Sequence, residues 1–86
     1  MTTQVQEPRS GSEMLGGIPW LARMTDKARL EAAGQIDQFD LEYPCPMDKR
    51  CLAQLGIDGV TFQKIAVSAQ PDVELLEALK VLGISP

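Results

Sequence analysis

The sequence predicts an all-α fold, a compact array of about four short helices with an extended acidic segment after the first long helix. Aromatic residues make up only 5% of the 86 residues, which suits helices packed through aliphatic side chains better than a small β-barrel. Apolar residues recur at helical spacing along most of the chain. Glycine and proline divide these periodic stretches into separate segments, so each stretch is predicted to be one short helix.

The first predicted helix covers residues 19–33. Pro19 suits a first helical turn, and Gly34 suits the position just after a helix. Just ahead of it, residues 12–15 are predicted to add one helical turn, which the Gly16-Gly17 pair interrupts. The apolar residues of the long helix fall on one arc and are predicted to face the core: Trp20, Leu21, Met24, Ala28 and Ala32.

The acidic segment 35–43 is predicted to be extended and to lie over the core. Phe39, Leu41 and Tyr43 alternate with other residues there, and a period of two is typical of extended chain. The run Tyr43-Pro44-Cys45-Pro46 is stiff, because each proline fixes its own φ and restricts the residue before it. The sequence leaves open whether either X-Pro bond in this run is cis.

Three shorter helices are predicted after the prolines, at about 46–55, 58–69 and 71–82. Gly56-Ile57 is typical of a Schellman C-cap, and Gly83-Ile84 repeats the pattern. Asp58 is a favoured N-cap residue. The predicted core-facing residues of these helices are Met47, Cys51, Leu52, Leu55, Phe62, Ile65, Ala66, Ala69, Leu75, Leu76, Leu79 and Leu82.

Length and composition predict a cytoplasmic protein with a disordered N-terminal tail at residues 1–12 and a single helical domain at 13–86. No apolar run approaches the roughly 20 residues that span a bilayer, and the N-terminal residues lack the apolar stretch of a signal peptide. The net charge of −4 repels a polyanion, and no helix carries a basic amphipathic face. We therefore expect neither nucleic acid nor a membrane as a partner.

The absence of histidine limits the chemistry available to this chain. Ser-His and Cys-His arrangements both need that residue, and Gly16-Gly17 lacks the remainder of a phosphate-binding loop. Two cysteines are too few for a disulfide framework. We therefore expect no catalytic residue, no cofactor and no metal. One alternative is a metal that Cys45 and Cys51 share across a dimer.

The first helix carries two cations, Arg23 and Lys27, beside Trp20. Side chains four positions apart are neighbours on a helix, so this pair is predicted to hold an anion such as a phosphate, a carboxylate or an acidic partner. The alternative is a solvated face, in which Arg23 pairs with Asp26 and Lys27 pairs with Glu31.

Two groups of motifs also have the order and spacing of a known family. The first is Leu15-Gly16-Gly17-Ile18, Leu21-Ala22-Arg23-Met24, Asp26-Lys27-Ala28-Arg29 and Gly34; the second is Tyr43-Pro44-Cys45-Pro46-Met47-Asp48, Leu55-Gly56-Ile57 and Phe62. With these motifs the chain resembles the bacterial domain-of-unknown-function family 5069 from about Pro8 to the last helix. The resemblance implies a common fold and no activity. It draws attention to the polar positions in the motifs: Arg23, Asp26, Lys27, Arg29, Cys45 and Asp48.

Two classes of function follow. The first is a non-catalytic protein-interaction or accessory-subunit module that binds a protein partner or a second copy of itself. Its support is four apolar residues that lie off the core stripes: Val60, Val67, Val73 and Val81. The second is a small-ligand or anion-binding domain, with or without catalysis, built from Trp20, Arg23, Asp26, Lys27, Arg29, Tyr43, Cys45 and Asp48. Convergence of these residues on a pocket would favour the second class, and a flat apolar patch the first.

Overall fold

The computed structural model describes residues 7–83, and their fold is mostly helical rather than strictly all-α. The helices are α1 (Leu21–Ala32), α2 (Pro46–Leu55), α3 (Gly59–Ser68) and α4 (Asp72–Val81). Two short strands, β1 (Met14–Leu15) and β2 (Ile18–Pro19), precede α1, and a 3₁₀ helix (Ile36–Phe39) lies between α1 and α2. The four predicted helices are therefore confirmed, each within a few residues of its expected ends.

The segment before α1 differs from the prediction of one helical turn. β1 and β2 pair antiparallel, with Met14 opposite Pro19 and Leu15 opposite Ile18. Gly16 and Gly17 join them at φ 60° and 79°, the left-handed values that a two-residue hairpin turn requires and that glycine adopts without strain. Pro19 consequently belongs to β2, and α1 begins at Leu21 rather than at the proline.

The acidic segment also differs from its prediction in its first half. Residues 36–39 form the 3₁₀ helix, which ends at Asp40 with φ 53°. In such a helix residues three positions apart share one side, so Ile36 and Phe39 lie together and Ile36 is buried. This burial outweighs the alternation that favoured extended chain. The Tyr43-Pro44 peptide bond is cis.

The core forms around α1, which packs chiefly against α3 and also contacts β1 and the 3₁₀ helix. α2 and α4 each pack against α3. The predicted stripes are confirmed as buried or half-buried with three exceptions, because Ala32, Met47 and Leu82 are exposed. Ala32 is the last residue of α1 and Leu82 directly follows α4, so both lie at helix ends. Met47 is exposed because Asp48 takes the inward position in the first turn of α2. The core residues are Leu15, Leu21, Ala22, Met24, Ala28, Cys51, Leu52, Phe62, Ala66, Ala69, Leu75 and Leu79.

The caps between α2 and α3 have the predicted chemistry. Gly56 adopts φ 75°, and the Ile57 amide donates to the Leu52 carbonyl at 3.2 Å, as in a Schellman motif. Asp58 caps α3 by accepting a hydrogen bond from the Thr61 amide at 3.0 Å. The second predicted Schellman cap cannot be followed to its end, because Ile84 lies outside the described residues. Residues 1–6 of the predicted tail lie outside them as well.

Candidate functional site

A buried polar cluster joins α1 to the start of α2 and contains four of the sequence-predicted site residues. Trp20 immediately precedes α1, and Lys27 lies in the middle of that helix. Cys45 is the N-cap residue of α2, and Asp48 lies in its first turn. We call these four residues the Lys27–Asp48 cluster.

An ion pair lies at the centre of this cluster. Lys27 Nζ lies 2.7 Å from Asp48 Oδ2, and the two side chains are only 2% and 0% exposed. Removing two charges from water costs more than their attraction returns unless further hydrogen bonds complete the site. Lys27 is therefore paired with a carboxylate of its own chain, and the anion predicted for Arg23 and Lys27 stays a prediction. The predicted pairing of Lys27 with Glu31 is wrong, since Glu31 accepts from Gln63 Nε2 at 2.6 Å.

Three more hydrogen bonds complete the cluster. Asp48 Oδ1 accepts from Trp20 Nε1 at 2.8 Å, and Asp48 Oδ2 also accepts from the Cys45 amide at 3.0 Å. Lys27 Nζ donates to Cys45 Sγ at 3.1 Å in addition to the carboxylate. Within residues 7–83, no buried side-chain nitrogen or oxygen lacks a partner. The cluster thus satisfies its polar groups internally instead of presenting them to a ligand.

Local sequence explains why Asp48 holds this position. It is the third residue of α2, where its carboxylate reaches back to the Cys45 amide as the acidic member of a capping box does. A negative charge in the first turn is also stabilised by the positive N-terminal end of the helix dipole. Asp48 precedes the buried Cys51 and Leu52 by three and four positions, and Lys27 follows the buried Met24 by three. This spacing places both charges on core faces, and neither inward position was predicted from the sequence.

Arg23 lies on the outer side of Trp20, away from the buried ion pair. Its guanidinium carbon is 5.7 Å from the centroid of the Trp20 ring, a cation–π distance, and Nη1 donates to the Arg9 carbonyl at 3.2 Å. Trp20 itself has φ 73°, and its ring covers Gly11 so closely that a Cβ there would lie 2.4 Å from two ring carbons. Arg23 therefore contacts the face of the indole, whereas Lys27 donates to Asp48 and Cys45.

Asp26 and Arg29 belong to a separate network that Arg9 organises. Arg9 Nε donates to Asp26 at 2.9 Å and Nη1 donates to Asp72 at 2.6 Å, so the predicted Arg23–Asp26 pair is wrong. Arg29 donates to the carbonyls of Ala66 and Ala69 at 2.8 and 3.0 Å. The hydrogen bond from Arg9 holds the pKa of Asp72 below its usual range, and burial lowers the pKa of Arg29.

Tyr43 joins the chain before α2 to the start of α3. Its hydroxyl donates to the Gly59 carbonyl at 2.7 Å. Burial raises the pKa of Tyr43, and the carboxylates of Asp48, Asp58 and Glu31 raise it further. Tyr43 is therefore held in place as a protonated hydroxyl, outside the Lys27–Asp48 cluster.

The two cysteines lie in different environments. Cys51 is buried in the core, and this burial raises the pKa of its thiol to about 11. Cys45 is only partly buried and contacts Lys27. Across residues 7–83, no three or more Cys, Asp or Glu side chains are grouped so that they would hold a metal ion. The alternative of a metal shared between two chains stays a prediction.

Two open clefts are each lined by one of the eight predicted site residues. The Tyr43 cleft has a volume of about 350 Å³ and is lined by Glu31, Tyr43, Pro44, Asp58, Gly59, Val60 and Gln63. The Arg23 cleft has a volume of about 420 Å³ and is lined by Glu7, Pro8, Arg23, Gln38, Phe39, Asp40 and Leu41. The eight predicted residues thus divide among a buried cluster, a surface network and these two clefts, and each of the two clefts contains only one of them.

Together these features define a small, mostly helical domain whose main polar cluster is neutralised within the chain. A family model described as "Domain of unknown function (DUF5069)" matches residues 5–83, so the chain belongs to this family. The resemblance identified from the sequence motifs is thereby confirmed. A search of curated proteins found no match. No helix among residues 7–83 combines the length and apolar character that crossing a membrane requires.

Proposed function

We propose that this domain is a non-catalytic protein-interaction module that binds through the outward faces of α3 and α4. The observation that carries the proposal is the exposure of four valines on these helices. Val60 and Val67 on α3 are 63% and 43% exposed, and Val73 and Val81 on α4 are 67% and 85% exposed. The sequence analysis expected them off the core stripes, and their exposure confirms that placement.

The positions of the valines on their helices support this use. Val60 and Val67 are two turns apart on one side of α3, opposite the buried Phe62 and Ala66. Valine is a weaker helix former than most residues, so an exposed valine helps neither the helix nor the core. Single exposed apolar side chains are ordinary, and the repetition of exposed valines on two helices that contact each other supports a surface that a partner would cover.

The Lys27–Asp48 cluster supports the non-catalytic part of the proposal. A general acid, base or nucleophile must reach a substrate atom within hydrogen-bond distance. Lys27 and Asp48 are almost fully buried and bond to each other, to Trp20 and to Cys45. The side chains best suited to chemistry are therefore occupied in holding α1 to α2.

The first prediction tests the surface with two substitutions outside both clefts. We expect Val67→Asp with Val73→Asp to abolish binding of a partner, because two charges would be buried in an apolar contact. Tagged protein is expressed in the cells that produce it, and co-purifying proteins are identified. The matched control is Ser68→Asp with Gln70→Asp, which adds the same charge at exposed neighbouring positions.

The free energy of unfolding of both double variants should lie within about 1 kcal/mol of the parent value, since each variant alters only exposed side chains. A partner that the parent and the control recover, and that the valine variant loses, supports the proposal. Recovery of no reproducible partner, together with a monomer in sedimentation, would contradict it. We also propose a cytoplasmic location, as the sequence predicts, and fluorescence imaging of the same tagged chain tests it.

A second candidate function is binding of a small anion in the Arg23 cleft. The observation that favours it is the stacking of Arg23 on Trp20 at the edge of that cleft. Because the chain has a single tryptophan, an anion bound to Arg23 would change an unambiguous fluorescence signal. A titration with phosphate, sulfate and common nucleotides should then shift the emission of the parent and leave Arg23→Ala unchanged. Flat emission from the parent at millimolar concentrations would exclude this candidate.

A further inference from the structure

We propose that the Tyr43 cleft receives a lysine or arginine side chain of a protein partner. The inference rests on the proposed interaction function and names the chemistry by which the partner would be recognised. It commits to a protein as the source of the cation.

The walls of the cleft suit the long aliphatic part of such a side chain. Tyr43, Pro44, Gly59 and Val60 line it, and their exposed atoms are mainly apolar. Gly59 matters here, because a Cβ at that position would lie 3.4 Å from Pro44 Cγ and 3.6 Å from the Tyr43 hydroxyl. Because glycine has no Cβ, the space between Gly59, Pro44 and Tyr43 stays open. Lysine and arginine commonly lay their methylene stems along apolar surface and leave the charged end at a polar edge.

The polar edge of the cleft carries two carboxylates, Glu31 and Asp58. Neither lies within 4.0 Å of a lysine or arginine nitrogen of residues 7–83, and residues 1–6 and 84–86 contain no lysine or arginine. Their hydrogen-bond donors are uncharged: Gln63 donates to Glu31, and Thr61 donates to Asp58. A carboxylate has about four acceptor positions, so both can still accept from a cation.

The charges of the cleft reinforce each other. The hydrogen bonds from Thr61 hold the pKa of Asp58 below its usual range, so this group is ionised at neutral pH. Burial raises the pKa of Tyr43 most, and the negative charges of Asp48, Asp58 and Glu31 raise it further, in keeping with the two carboxylates at the rim of the cleft that this phenol lines. An aromatic ring also attracts a cation placed over its face.

A basic partner matches the charge of the whole domain as well. The net charge of −4 attracts a positively charged surface and speeds encounter with it. A metal ion fits less well, because calcium and magnesium take six or more oxygen ligands and this cleft is mostly apolar. The combination of apolar walls with two carboxylates at the rim is that of a site for an alkylammonium or alkylguanidinium group.

The experiment uses analogues of the two side chains as probes. The full chain, labelled with ¹⁵N, is titrated with n-butylammonium or n-propylguanidinium chloride and, separately, with uncharged n-butanol. We expect the cations to shift the amide signals of Gly59, Val60 and Gln63 at tens of millimolar, and to do so less at high salt. Butanol at the same concentration should shift them at most a third as far. Equal shifts with butanol, or cation shifts confined to other residues, would overturn the inference.

Variants assign the effect to the carboxylates. Glu31→Gln with Asp58→Asn should reduce the cation-induced shifts at least threefold, and asparagine keeps the N-cap of α3. The control Glu13→Gln with Asp37→Asn also removes two negative charges, but at exposed positions outside the cleft. It should leave the cation-induced shifts unchanged. Full retention of the shifts in the cleft variant, or an equal loss in the control, would overturn the inference.

Partner recovery separates this inference from the proposed function. A partner retained by Glu31→Gln/Asp58→Asn but lost by the valine variant would leave the interaction function standing and overturn the cleft as its cation site. Loss of the partner by the cleft variant supports the inference. Self-association of the parent that the cleft variant abolishes would show that a second copy is the occupant, and would overturn the choice of a partner protein.

Discussion

Lys27 and Asp48 each depend on the other for a place in the core. Lys27 is one of the largest fully buried side chains among the described residues, and its ammonium group is neutralised by one carboxylate. An ion pair of this kind adds little net stability compared with apolar residues, but removal of one member leaves an uncompensated buried charge. Each charge, one on α1 and the other on α2, is therefore tolerated in the core only while the other is present.

The residue-scale prediction is that Lys27→Met destabilises the domain strongly. Loss of one partner of a buried pair costs about 3–5 kcal/mol. A domain of this size has a free energy of unfolding of only about 5 kcal/mol, so the variant should be partly unfolded without denaturant. Urea unfolding followed by circular dichroism measures this. The control Lys64→Met changes an exposed lysine of α3 and should shift the value by about 0.5 kcal/mol or less.

The structure gives Trp20 and Lys27 a partner that the sequence did not predict. Both side chains contact the Asp48 carboxylate, whereas the predicted anion was one that Arg23 and Lys27 would hold together. Lys27 was expected on the helix surface beside Arg23, because the two residues are four positions apart. Its partner is 21 positions away, and no local pattern announces that contact. Only the spacing from Met24 indicated an inward position.

At the scale of elements, all four helices could be predicted from apolar periodicity and local end signals, whereas the hairpin and the 3₁₀ helix could not. Gly56 and Asp58 end α2 and begin α3 through contacts within a few residues, so their sequence was sufficient. The hairpin at 14–19 was missed because Gly16-Gly17 was interpreted as a helix break, although both glycines form the turn. The 3₁₀ helix was missed because burial of Ile36 depends on tertiary packing.

The element-scale prediction concerns the cap of α2. Gly56 has φ 75° and no atom within 4 Å of the position a Cβ would occupy, so a side chain would meet backbone strain without a clash. Gly56→Ala should lower the free energy of unfolding by about 1–2 kcal/mol. Gly56→Asn should cost less, because asparagine visits the left-handed region more readily. Thermal unfolding of both variants checks this order, and equal losses would contradict it.

On the scale of the whole molecule, Arg9 joins parts of the chain that are distant in sequence. It bonds to Asp26 in α1 and to Asp72 at the start of α4, which is 63 positions away. Arg9 lies in the segment predicted as the N-terminal tail, and the sequence analysis did not single it out. Its partners are set by how the helices pack, and charge pattern alone does not specify that arrangement.

The whole-molecule prediction uses the pH dependence of this network. Arg9 lowers the pKa of Asp72 in the folded state, so the stabilisation is present above the ordinary aspartate pKa and is lost as pH falls through the lowered value. Arg9→Gln should therefore cost about 1 kcal/mol at pH 7, a value kept small by partial solvent exposure.

Urea unfolding should show that the difference in free energy of unfolding between Arg9→Gln and the parent becomes smaller below about pH 4. The control Arg50→Gln changes an exposed arginine of α2 that forms no salt bridge within residues 7–83. A difference between Arg9→Gln and the parent that is independent of pH would contradict the role assigned to Asp72.

The buried pair also constrains how this sequence can evolve. Exchanging both Lys27 and Asp48 for apolar residues is often harmless in such sites, whereas exchanging either alone is costly. Codons 21 positions apart cannot change in one point mutation, so every route to the apolar pair passes through a less stable ancestor. A sequence with only one of the two exchanges is therefore expected to be selected against. Among homologues, we expect Lys27 and Asp48 to be kept together or replaced together.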